Sequence, residues 1–119
     1  MEENANSRIT AFIILLAVAA AAYLLYPREP AAGEYDSLAK CITAKGISMA
    51  GTETCPHCKE QKKTLGTSFE YIDYHNCDVE PNWCNSKKVM YYPSWILANG
   101  KVVSGTQSIE QLKELTGCE

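Results

Sequence analysis

A chain of 119 residues has room for one domain and a short additional segment. Its formal charge of −3, with no basic run and no interleaving of aromatic with basic residues, gives no case for a nucleic-acid partner, and none is expected. Six cysteines are many for this length, and an even number in a small domain suits an oxidising compartment.

Residues 1–8 form a short polar N-terminus with Glu2, Glu3 and Arg8. Residues 9–26 carry no charge, and only Thr10 is notably polar. Such a stretch spans about 27 Å as a helix, close to the hydrocarbon core of a bilayer. Tyr23 and Tyr26 sit at one end, as an interfacial anchor would. Pro27, Arg28 and Pro30 stop the helix. A cleaved signal peptide would have a shorter apolar region and a small-x-small site after it. Here Ala19 to Ala22 are followed by more apolar residues, and the downstream Pro-Ala-Ala is a poor site. A buried soluble helix would show a polar face, and this one has none. The stretch is therefore expected to be a transmembrane signal anchor in contact with membrane lipid. Arg8 and Arg28 flank it almost symmetrically, so charge alone gives little direction. The cysteines place the domain on the extracytoplasmic side of the cell membrane.

Residues 27–33 form a linker. Residues 34–45 read as a helix with Tyr35, Leu38, Cys41 and Ile42 on one face and Gly46 as its stop. Residues 47–50 are a short buried strand, and Gly51-Thr52-Glu53-Thr54 is turn-like. The Cys55-Pro56-His57-Cys58 run then opens a helix ended by Gly66, with Cys55 at its N-cap and Pro56 at its first position. A thiol there faces unpaired backbone N–H groups and the positive end of the helix dipole, both of which stabilise a thiolate. The thiolate is the species that attacks disulfides. Cys58 falls one turn later on the same face, so one sulfur is a candidate nucleophile and the other its resolving partner. A protonated His57 beside Cys55 would add to the thiolate stabilisation. Zinc would need two further ligands. The gap between Cys77 and Cys84 is wider than zinc sites use, so no metal is expected. No cofactor is expected either.

The alternating stretch 69–74 reads as a second strand, 75–82 as irregular and 83–89 as a short helix. Residues 94–98 and 101–104 read as strands joined by the Asn99-Gly100 turn. Residues 108–116 make a last helix, capped by Ser108, with Ile109, Leu112 and Leu115 inward and Gly117 at its end. An α/β domain over 34–119, with CxxC at a strand-to-helix junction, reads as thioredoxin-like. The expected architecture is a small central mixed sheet of about four strands flanked by helices, plus one N-terminal transmembrane helix. Cys77 and Cys84 are expected to form a structural bridge, with a second redox pair as the alternative.

The resemblance is carried by Met49-Ala50-Gly51, the run Cys55-Pro56-His57-Cys58-Lys59-Glu60-Gln61-Lys62, Cys77-Asp78, Tyr92-Pro93-Ser94-Trp95-Ile96, Asn99-Gly100-Lys101, and Gly105 with Ser108-Ile109-Glu110-Gln111-Leu112. Over residues 34–118 the chain resembles the thioredoxin-like domain fused to, or working beside, vitamin K epoxide reductase homologues. Its CPHC motif also resembles that of DsbA-type oxidases. The resemblance implies a disulfide relay: a quinone-linked membrane oxidase on one side, cysteine-containing secreted clients on the other. It assigns Cys55 as the attacking cysteine, Cys58 as the resolving one and Pro93 as a cis-proline facing them, with Tyr92 against the client chain. Ordinary thioredoxins carry a buried acid where Met49 stands, a departure that argues against fast reductase chemistry, and a Trp where Thr54 stands. In this fold the helices carrying Cys41 and Cys118 usually lie on opposite faces of the sheet, so Cys41 is expected as a plain core residue, with a Cys41–Cys118 bridge as the alternative if the final residues wrap round. Trp83 and Trp95 are expected in the core or groove. The rival functions are an outward-facing reductase or isomerase, as in cytochrome maturation, and a non-catalytic module stapled by its cysteines.

Overall fold

The computed structural model of the chain describes residues 4–119. The first helix, α1, spans Ala5–Leu25, with a mean hydropathy of 2.2 over its most apolar 18 residues and no buried residue. It begins four residues earlier than expected, because Asn6, Ser7 and Arg8 continue the helix rather than precede it. Thr10 Oγ1 donates to the Asn6 carbonyl at 2.7 Å within that first turn. Residues 1–3 of the expected polar N-terminus lie outside the described residues. The helix is long and apolar enough to cross a membrane.

The linker is docked rather than loose. Gly33 N–H donates to Thr67 Oγ1 at 2.9 Å, and Tyr35 N–H to Ser68 Oγ at 3.0 Å. Pro30 packs on Gly66 so closely that a Cβ there would stand 2.6 Å from Pro30 Cγ. Helix α2, Asp36–Ala44, buries Leu38, Ala39 and Ile42, with Tyr35 and Cys41 at the edge of the core.

Four strands follow: β1 (Ser48–Gly51), β2 (Asp73–Asn76), β3 (Ser94–Ile96) and β4 (Val102–Ser104). Their order is β2-β1-β3-β4; β1 and β2 are parallel, and the other pairs are antiparallel. Helix α3, Pro56–Leu65, crosses between β1 and β2, α4 (Pro81–Ser86) follows β2, and α5 (Ile109–Thr116) closes the domain. This mixed sheet flanked by helices is a thioredoxin-like fold.

The strand expected over residues 69–74 is displaced. Gly66–Tyr71 form a 3-10 helix, and β2 starts only at Asp73, where Ser48 becomes its partner. The alternation of Phe69 and Tyr71 has another cause: both lie against the main core, which a tight helical turn also allows. Buried Ser68 fixes that turn, accepting from Tyr35 N–H and donating to Asp36 Oδ1 at 2.8 Å. Helix α4 begins at Pro81, ahead of the expected position, because proline suits a first helical turn.

Strand alternation divides the interior. Met49 and Trp95, paired across β1 and β3, face the main core with α2, α3 and Leu112 of α5. Ala50 and Ile96 face the other way, toward Cys77, Cys84 and Trp83. The main-core side carries a correction. Cys41 and Cys118 form a disulfide with their Cα atoms 6.0 Å apart, so Cys41 is not a plain core residue. The reason is that α2 and the end of α5 share one face of the sheet. Gly117 (φ +70) turns the tail, Cys118 N–H donates to Thr116 Oγ1, and Lys45 Nζ reaches the Thr116 carbonyl at 2.8 Å.

Candidate active site

Cys55 is the N-cap of α3, in extended conformation, with Pro56 at the first helical position. Its sulfur accepts the Cys58 N–H at 3.3 Å, an orphan donor of the first turn. Its thiol donates to the Tyr92 carbonyl at 3.6 Å. The Tyr92–Pro93 bond is cis, and Pro93, next in the chain to that carbonyl, is fully buried. The structure thus brings Cys55, Cys58, Tyr92 and Pro93 together. Both cysteines are free thiols, Cys55 half-buried and Cys58 completely buried.

Burial pushes the Cys58 thiol up to about 11. The hydrogen bond and charge of Cys55 push the same way, while the Thr52 backbone and the Lys62 ammonium oppose them. Below the sulfur lies Gly51 of β1. A Cβ there would stand 2.8 Å from Cys58 Sγ and 3.4 Å from Tyr74 Cε2. The absence of a side chain at Gly51 is what admits the Cys58 sulfur.

His57 lies on the exposed side of α3. Its Nδ1 is 3.4 Å from Glu60 Oε2, and its backbone carbonyl accepts from Thr106 Oγ1 at 3.3 Å. The imidazole is therefore shared with a carboxylate of its own helix. Cys77 and Cys84 form a disulfide with Cα atoms 5.7 Å apart, nearly buried, on the Ala50 side of the sheet. Cys58 packs on the Met49 side, so β1 separates the two pairs. Trp95 is fully buried, whereas Trp83 stacks flat on His75 at 3.6 Å.

Two groups of residues escaped the sequence reading. Gln61, fully buried one turn after Cys58, accepts from Gln107 N–H at 2.7 Å and Trp95 Nε1–H at 3.2 Å. It also donates to the Gln107 carbonyl at 3.0 Å, tying the loop before α5 to the site. A polar residue on the inner face of α3 was its available sign. The second group is Glu53, Lys62 and Tyr74. Lys62 Nζ lies 3.0 Å and 3.1 Å from the two Glu53 oxygens, and Tyr74 Oη donates to Glu53 Oε1 at 3.2 Å. The Lys62 hydrogen bond holds Glu53 below the usual carboxylate range. Burial, with Glu53 beside it, pushes the Tyr74 phenol upward.

No family model matches the chain. Thiol-disulfide oxidoreductase LTO1 of Arabidopsis thaliana is 31% identical over 90 residues, a stretch that covers 68% of this chain and 24% of that protein. The chain thus spans about a quarter of the length of that curated relative. The likeness relates it to a protein of thiol-disulfide exchange.

Proposed function

We propose that this chain is a membrane-anchored thiol-disulfide oxidoreductase that passes disulfides to cysteine-containing extracytoplasmic proteins. Residues 9–26 hold it in the membrane, 27–33 link, and 34–119 carry the chemistry. The observation that carries the reading is the Cys55/Cys58 pair: four cysteines are bridged to each other, and the two free ones are one turn apart at a helix start. The likeness to LTO1 supports the same chemistry.

In the oxidised protein a client thiolate attacks Cys55 Sγ, the more accessible sulfur. The Cys55–Cys58 bond breaks, and its electron pair leaves on Cys58. A second client thiolate then attacks the client sulfur of the mixed disulfide and releases Cys55 as thiolate. The client loses two electrons and the pair gains them. Tyr92 and Pro93 line the approach; Met90 and Tyr91 beside them are strongly exposed and offer an apolar surface to the client. His57 adds positive charge near the helix start when protonated. The Cys77–Cys84 bridge is structural, because β1 stands between it and Cys58. Reoxidation is by a quinone-linked membrane protein similar to vitamin K epoxide reductase.

The reduction potential tests the direction of flow. The Cys55-Pro56-His57-Cys58 motif resembles that of DsbA-type oxidases, so the couple is expected nearer about −200 mV than thioredoxin's roughly −270 mV. Equilibration with glutathione buffers, read by thiol labelling, measures it; a value at or below thioredoxin's reverses the direction. Cys58→Ser should trap clients and the membrane oxidase on Cys55 as mixed disulfides.

A further inference from the structure

Lys62 is held by a carboxylate and by two aromatic rings. It lies four residues after Cys58 on α3, hence on the same face one turn along. Both Glu53 oxygens grip its ammonium, and the rings of Tyr74 and Phe69 lie beneath it, with centroids at 4.4 Å and 5.4 Å. Only 26% of its side chain is exposed, against 61% for Glu53. Tyr74 is the link to the sulfur: its ring edge and Cys58 Sγ converge on the bare Cα of Gly51. The charged and titratable groups around this point are Cys55, Lys59 and Lys62 on α3, Glu53 before it, Tyr74 on β2 and Asp78 after β2.

Resting on the exchange function of Cys55 and Cys58, we propose that Lys62 is the residue that stabilises negative charge on Cys58 during exchange, with Glu53 and Tyr74 as its positioning residues. When the Cys55–Cys58 bond opens, the electron pair departs on Cys58 Sγ. When the pair closes, Cys58 must first give its proton to solvent. Both directions pass through a thiolate on a sulfur with no exposure, where burial opposes it. A fixed cation one turn away counters that opposition. At rest near neutral pH Cys58 is a thiol in any case, so the cation acts on the rate and leaves the end states alone.

The test uses the full chain in detergent, with reduced and oxidised glutathione as the probe at pH 7. Lys62→Met should slow closing of the pair by about threefold for each unit by which the Cys58 thiolate becomes harder to form. A tenfold loss of thiolate is partly offset by its greater nucleophilicity. The glutathione equilibrium should stay within about twofold of the parent, so opening slows by the same factor. Lys62→Arg should restore both rates. Circular dichroism and a count of two free thiols after mild reduction check the fold. If Lys62→Met unfolds, Lys62→Gln carries the same expectation. Parent-like rates in Lys62→Met, or a rate change matched by an equal change in the equilibrium, would overturn the role of Lys62 and leave the exchange function standing. A parent chain that does not exchange with glutathione at all would overturn both.

Discussion

Removing the Cys41–Cys118 bridge should destabilise the domain strongly. The two cysteines are 77 residues apart, so the bridge closes most of the domain into one covalent loop. The loop-entropy relation gives about 4.5 kcal/mol for that length. The Cys77–Cys84 bridge, with a separation of 7, comes to about 2.4 kcal/mol on the same relation. Small domains are stable by roughly 5–15 kcal/mol, so the larger loss is a large fraction of the whole. Cys41→Ala/Cys118→Ala in the full chain, titrated with urea in detergent, measures it. Trp95 is fully buried and α1 contains no tryptophan, so fluorescence follows the domain rather than the membrane helix. With a urea slope of roughly 1–3 kcal/mol per molar, the midpoint should fall by about 1.5 M or more. A smaller fall than that produced by Cys77→Ala/Cys84→Ala would refute the loop-length reasoning.

The site itself gives three further predictions. In Cys55→Ser, alkylation of Cys58 should rise about tenfold per pH unit and still be climbing at pH 9, because burial keeps the thiol protonated; a plateau near pH 8 would contradict that. Gly51→Ala places a methyl 2.8 Å from Cys58 Sγ and should lower stability by about 1–3 kcal/mol, read as a shift in the urea midpoint; an unchanged midpoint would show the sulfur free to move aside. Gln61→Leu leaves the Trp95 indole N–H and the Gln107 amide without their acceptor and should cost about 2–4 kcal/mol with a change in Trp95 emission; parent-like stability and emission would mean that the loop repacks without Gln61.

The start of α3 was legible because local chemistry settles it. Proline after Cys55 and a terminating Gly66 bracket a helix wherever it packs, and Cys58 follows from the helical repeat. The Ser108–Gln111 capping box was half legible for the same reason: Ser108 stood out as the cap, and its reciprocal partner is Gln111. The stretch 66–72 misled because Phe69 and Tyr71 both touch the core on either side of exposed Glu70, which imitates a strand, and the bonds that decide for a 3-10 turn come from Tyr35 and Asp36, more than thirty residues away. The Cys41–Cys118 pairing depends on α2 and α5 sharing a face of the sheet, which no spacing within either helix reveals. The Glu53–Lys62–Tyr74 group draws on three separate segments, so it exists only once β1, α3 and β2 are assembled.

Helix α3 has a different attachment at each end. Its start presents the Cys55 sulfur; its finish, at Gly66, is the surface on which Pro30 sits. Ten residues at a helical rise separate the two by about 15 Å. With α1 in a bilayer, the linker is a short leash made fast at the far end of a rigid strut. On such a tether the thiols would stay about 15 Å from the point of attachment, and the height at which they stand above the bilayer would follow the tilt of α3. A side chain at Gly66 would push Pro30 away, lengthen the leash and widen the reach of the thiols without touching either sulfur.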